Sequence, residues 1–159
     1  MRTLFMVALL AISFTCFAPP TEEVDLSEHM LKFDIEHRDF TVENLVLYLK
    51  LLDSTNYKVI MKQAILETRH FKSKLFKGHN NLFGMKYANK RPNNIKGKAY
   101  GHASFEHWTD SVEDYFMWRT YMVNKKHLQT TDYYTFLKKV GYAADPSYIQ
   151  ILKKIKVLS

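Results

Sequence analysis

Apolar residues recur at helical spacing in three parts of the chain. Val42, Leu45, Val46, Leu49 and Leu52 form one stripe, which predicts a helix capped by Thr41 and closed by Asp53-Ser54-Thr55-Asn56. A second helix is predicted from about Tyr57 to Thr68, with Ile60, Ala64 and Glu67 at i, i+4 and i+7. The third stripe, Tyr148, Ile149, Leu152 and Ile155, comes after Asp145 as a helix cap and Pro146 as first helical residue. Between Lys86 and His102 no helical period survives, and the stretch reads as a small β-lobe or hairpin. Residues 19–40 carry acids without a period and read as a lead-in with a short helical piece at most, for spacing or packing. Arg2, the uncharged apolar run from Leu4 to Phe14 and Pro19-Pro20 predict a secretory signal peptide over residues 1–18. That run is shorter than the ~20 residues needed to span a bilayer, so no stable membrane insertion is expected after cleavage. One folded domain over residues 41–159 remains.

The second helix places a carboxylate on its apolar stripe. Sharing a face with Ile60 and Ala64, Glu67 would lose water, and desolvation raises a carboxyl pKa toward the range useful to a general acid. The alternative is that Glu67, at the helix end, turns into solvent or pairs with Lys74. Periodicity alone does not choose between them.

Composition narrows the class. The 159 residues are 47% hydrophobic and 25% charged, with five Gly and four Pro, which excludes a disordered tail, a collagen-like repeat and a low-complexity linker. Lys and Arg number 23 against 16 Asp and Glu, a net charge of +7 that suits an anionic partner: nucleic acid, lipid or wall polymer. Its layout is uneven, since residues 54–105 hold eleven bases and a single acid, Glu67. Those cations would lower the pKa that desolvation raises. Cys16, the only cysteine, lies in the signal segment behind a poor lipobox, so free secretion is favoured over a lipid anchor and the mature chain has no disulfide.

Four blocks carry a resemblance. They are Gln63 to Ser73 with Glu67-Thr68 at the centre, Asn80-Asn81-Leu82-Phe83-Gly84-Met85-Lys86, Phe105-x-x-Trp108-x-x-Ser111-Val112-x-Asp114-Tyr115, and Tyr142-Ala143-Ala144-Asp145-Pro146-x-Tyr148. In this order and spacing they resemble the glucosaminidase family, glycoside hydrolase family 73, whose members are lysozyme-like enzymes that cut peptidoglycan. The resemblance spans roughly Thr41 to Ile155. It implies a mainly helical α+β lysozyme-like fold of five or six helices with a small β-lobe, and it makes Glu67 the catalytic acid. It also implies that Asn80-Asn81-Leu82-Phe83-Gly84 floors the cleft and that Tyr142 lies near the acid.

Each further residue has a chemical and a plain reading. The amides of Asn80 and Asn81 can bind a sugar N-acetyl group or merely build the turn, where Gly84 allows a positive φ. Phe83 can be a sugar platform, though core is the stronger reading. Tyr142 can position a water or simply pack. Ser73 reads as a structural hydroxyl, since no Ser-His-Asp set accompanies it. In the lobe, Tyr87 and Tyr100 can stack on sugars while the cations meet the carboxylates of peptidoglycan; the plain reading is a solvated loop. Such interleaving also fits single-stranded nucleic acid, against which export argues.

Two departures from the family stand out. Longer members carry a second carboxylate in the lobe, where this chain has none; the nearest is Glu106, a weak candidate. Glycosidases ordinarily use two carboxyls, unless the substrate's own N-acetyl oxygen attacks. Arg69 stands where the family commonly has Gly, at a cost of about 1 kcal/mol or more if the backbone there is left-handed. His70, His79, His102 and His107 show no zinc-ligand spacing, so neither metal nor cofactor is expected. The sequence thus predicts an exported monomeric hydrolase of peptidoglycan glycan strands, cutting after N-acetylglucosamine. An N-acetylmuramidase and a catalytically impaired peptidoglycan-binding protein are the alternatives.

Overall fold

A computed structural model describes residues 26–129 and 132–157; the expected signal peptide and Cys16 lie outside them. Among the described residues the order is α1 (Leu26–Glu36), α2 (Val42–Leu52), α3 (Tyr57–Glu67), α4 (Lys74–His79), β1 (Gly97–Ala99), β2 (His102–Ser104), α5 (Trp108–Lys126), α6 (Tyr133–Val140) and α7 (Tyr148–Lys154). This is the expected mainly helical α+β fold with a small lobe. It has seven described helices where five or six were expected, because α1 occupies the acidic lead-in and the short α4 comes after the Glu67 turn.

The caps explain where the helices begin. Thr41 Oγ1 accepts the Asn44 N–H at 3.0 Å and starts α2. Asp53 Oδ1 accepts the Thr55 and Asn56 N–H groups, turning the chain from α2 into α3. Asp145 caps one turn before the α7 boundary: its carboxylate accepts the Ser147 N–H, and its carbonyl the Tyr148 N–H.

Leu45, Leu49, Ile60 and Ala64 are fully buried, so the predicted stripes of α2 and α3 do face the core. Leu82, Phe83, Val112, Tyr115, Leu137 and Leu152 close it from the other elements. Helix α1 also joins it. Ile35 is fully buried, Tyr48 donates to Glu36 Oε1, and the Trp108 indole donates to the Arg38 carbonyl at 2.9 Å.

The lobe is an antiparallel hairpin with register Gly97↔Ser104, Lys98↔Ala103 and Ala99↔His102. Its two-residue turn, Tyr100-Gly101, has φ of 50° and 78°, the sign a type I′ turn requires at both positions. The lobe is fastened to α5. Arg91 makes two hydrogen bonds to Asp114, at 2.8 and 2.7 Å, with side chains only 5% and 0% exposed, and Asn94 donates to Glu113 at 2.8 Å.

Candidate active site

Glu67 is the last residue of α3, and the turn after it points its carboxyl inward. Thr68 is fully buried, donates its hydroxyl to the Ala64 carbonyl and accepts the Phe71 N–H at 2.8 Å. The Thr68 carbonyl accepts the Lys72 and Ser73 N–H groups. Around this residue the chain makes a left-handed run: Arg69, His70 and Phe71 have φ of 51°, 55° and 62°. For L-residues such geometry costs about 1–2 kcal/mol each. The Phe71 ring, tilted against Phe40 and edge-on to Phe76, and the hydrogen bonds of Thr68 hold it in place. Ser73 then caps α4 by accepting the Phe76 N–H, the structural role expected of it.

The Glu67 carboxyl lines a cavity of about 530 Å³ between the lobe and α5. Its Oε1 accepts the Tyr148 hydroxyl at 2.9 Å. On the Oε2 side lies Gly84, with φ of 62°, where a Cβ would come within 3.2 Å of that oxygen. Burial raises the Glu67 carboxyl from its ordinary value, and the Tyr148 hydrogen bond pulls it part of the way back. Desolvation therefore outweighs that hydrogen bond. Of the cations on the cavity wall, Arg91 is neutralised by Asp114.

The other expected site residues separate into two groups. Tyr142, Phe83 and Tyr87 line the cavity with Glu67. The Tyr142 hydroxyl donates to the Phe83 carbonyl at 2.8 Å, and burial with the nearby Glu67 charge keeps it protonated. Phe83 is 2% exposed and stacks on Tyr115, which makes it cavity wall and core at once. Tyr87 is half exposed at the rim.

Asn80, Asn81, Tyr100 and Glu106 are not among the lining residues. Asn80 has φ of 53° at the end of α4 and donates to the carbonyls of Phe105 and Glu106. Buried Asn81 donates to the carbonyls of Met85 and Ala103 and accepts the Met85 N–H, so its whole amide ties the floor loop to β2. Tyr100 stands 74% exposed at the hairpin turn, edge-on to His79. Glu106 is exposed and ion-paired with Lys96.

Three features escaped the sequence reading. Tyr148 contacts the acid, although the sequence marks it only as a stripe residue and as the end of the fourth block, with no role at the site. Trp118 and Met122 of α5 line the cavity, with Trp118 edge-on to Tyr142. Arg91, one of the lobe cations read either as meeting substrate carboxylates or as part of a solvated loop, is held by Asp114. The Tyr142 to Tyr148 block could have flagged Tyr148, since it places two tyrosines in a segment rich in turn residues.

A neighbouring hollow of about 500 Å³ between α6 and α7 shares Ala143 with it and is lined by Tyr148, but its carboxylates, Asp132 and Asp145, are exposed. Glu67 is the only carboxylate lining its own cavity among the described residues. No group of three or more His, Cys, Asp or Glu able to hold a metal occurs among them, and no described helix is long and apolar enough to cross a membrane.

Neither a curated protein nor a solved structure matches the chain significantly. The sequence profile of the glucosaminidase family, described as mannosyl-glycoprotein endo-beta-N-acetylglucosaminidase, matches residues 49–157. This covers more than half of the chain and takes in Glu67, Gly84, Asp114, Tyr142 and Tyr148. The chain therefore belongs to the glucosaminidase family, glycoside hydrolase family 73, a family of glycosidases acting on peptidoglycan-type glycans.

Proposed function

We propose that this protein is an exported endo-β-N-acetylglucosaminidase that hydrolyses the β-1,4 bond after N-acetylglucosamine in peptidoglycan, with Glu67 as general acid. The observation that carries the reading is a partly buried carboxyl in an open cavity, its proton affinity raised by desolvation. In the first step Glu67 gives its proton to the glycosidic oxygen as the C1–O bond breaks. Among the described residues no second carboxylate lines the cavity, which favours attack on C1 by the substrate's N-acetyl oxygen, giving a cyclic oxazolinium ion. Water then opens that ring and returns a proton to Glu67. Direct attack by a water is the other route; Tyr142 could hold it only through its oxygen lone pairs, because its proton is engaged by Phe83.

Stacking would come from Tyr87 and Trp118 at the cavity, and the net charge of +7 suits an anionic wall. Export rests on the apolar run within residues 1–18. A zymogram on purified cell walls tests the reading: a clear band is expected from the native chain and none from Glu67→Gln. A band that persists in Glu67→Gln would remove Glu67 from its role. Loss of turnover in a folded Glu106→Gln variant would overturn the single-acid version. Mass spectrometry of the released reducing ends distinguishes N-acetylglucosamine ends from the N-acetylmuramic ends that a muramidase leaves.

A further inference from the structure

A line of buried polar groups runs from the far side of the core to Glu67. Arg119 at its outer end is ion-paired with Asp53, and its guanidinium lies 5.8 Å from the centre of the Tyr133 ring. The Tyr133 and Tyr115 hydroxyls are 2.8 Å apart, and Tyr115 donates to Gln63 Oε1 at 2.6 Å. Gln63, fully buried on α3 one turn before the acid, has its Nε2 3.4 Å from the Tyr148 hydroxyl, which donates to Glu67 Oε1.

The direction of this line is fixed at Gln63. Its Oε1 can only accept and takes the single proton of Tyr115, so Tyr115 must in turn accept from Tyr133. This leaves the Gln63 amide hydrogens facing Tyr148. Tyr148 must accept there, and its single proton is left for Glu67.

We infer that Gln63 is a positioning residue of the site: through this one-way chain it holds Tyr148 as a donor to Oε1 and confines the acid's proton to Oε2, the oxygen beside Gly84. The inference rests on the proposed role of Glu67. Without Gln63, Tyr148 is free to turn and accept a proton from Oε1, which would point the acid's hydrogen into the protein and away from the glycosidic oxygen. The groups that share the surroundings of Glu67 are Tyr148 of α7, Tyr142 from the segment after α6, and Lys86, Arg91 and His102 along the cavity wall. None of them donates to Oε1 except Tyr148.

The test compares Gln63→Met, Tyr148→Phe and the double variant. The Glu67 carboxyl is titrated by carbon-13 NMR without substrate, and kcat and KM are measured on cell walls. In both single variants the Glu67 midpoint is expected to move upward: Tyr148→Phe removes the donor to the charged form, and Gln63→Met lets Tyr148 accept from the protonated form. A fall in kcat of about three- to tenfold with KM unchanged should accompany it. The double variant should titrate as Tyr148→Phe does, because Gln63 acts only through that hydroxyl. Should Gln63→Met not fold, Tyr115→Phe interrupts the chain one link earlier and should move the midpoint the same way. An unmoved midpoint with only a lower melting temperature, or additive shifts in the double variant, would overturn the inference. A wall-lysing Glu67→Gln variant would instead remove the glycosidase role, and the substrate-free titration would still judge the chain.

Discussion

Gly84 faces Glu67 so closely that a methyl group at position 84 would lie 3.2 Å from Oε2. The pair leaves a gap one atom wide at the oxygen proposed to deliver the proton. Gly84→Ala should thus harm activity more than stability. The positive φ costs about 1 kcal/mol or more for a residue with a Cβ. Displacement of the carboxylate should lower kcat on the order of a hundredfold. Wall-lysis kinetics beside urea unfolding of the same protein check the ratio.

Burial of Glu67 has a consequence for stability whose sign is fixed. Its folded pKa is raised, so the folded state binds its proton more tightly than the unfolded state does. The contribution is fully present below the unfolded value, about 4.3, and is lost as pH rises through the folded value. Glu67→Gln should therefore be more stable than the native chain at neutral pH, and the gain should vanish in acid. Denaturation at several pH values measures it. The native enzyme should lose activity on its alkaline limb as Glu67 deprotonates, and that limb should lie above the free carboxyl value.

Arg91 and Asp114 form a buried pair that fastens the lobe to α5. Arg91→Met leaves a carboxylate in the core with its charge unmatched, at a cost of about 3–5 kcal/mol. Adding Asp114→Leu should recover most of that loss. Urea unfolding of the single and double variants tests this; a single variant of native stability would contradict it.

Arg69 occupies a left-handed position with its side chain in solvent. Arg69→Gly removes the steric cost but adds freedom to the unfolded chain, for a net gain of up to about 1 kcal/mol. Activity should survive, since the Thr68 hydrogen bonds that set the turn remain. A shift in denaturation midpoint at constant slope is the expected reading.

Some of this was legible in the sequence and some was not, for physical reasons. Glu67 could be found because a carboxylate on a 3.6-residue apolar stripe violates the pattern around it. Its raised pKa was left open, since the sequence displays eleven nearby cations without showing that Arg91 is matched by an acid 23 positions away. Asn80 and Asn81 were ambiguous because an amide facing a ligand and an amide closing a loop look alike in a string of letters. Asn81 is taken entirely by backbone groups. Tyr148 was hidden inside its own regular pattern: an apolar stripe gives no sign that one hydroxyl on it reaches an acid. The lead-in showed no period because α1 buries only part of one face, with Ile35 fully inside and Met30 and Phe33 outside.

Glu113 ties these distant parts into one body. One oxygen lies 3.0 Å from both the Tyr48 hydroxyl and the Lys32 ammonium, and the other accepts from Asn94 of the lobe. The lead-in and the cavity wall thus lean on opposite sides of one carboxylate. A recombinant fragment trimmed to residues 49–157 would lose Tyr48, Lys32 and the Arg38 carbonyl that holds Trp108. It would keep every lining residue of the cavity and yet release the brace behind it, so the smallest stable unit should extend back through α1.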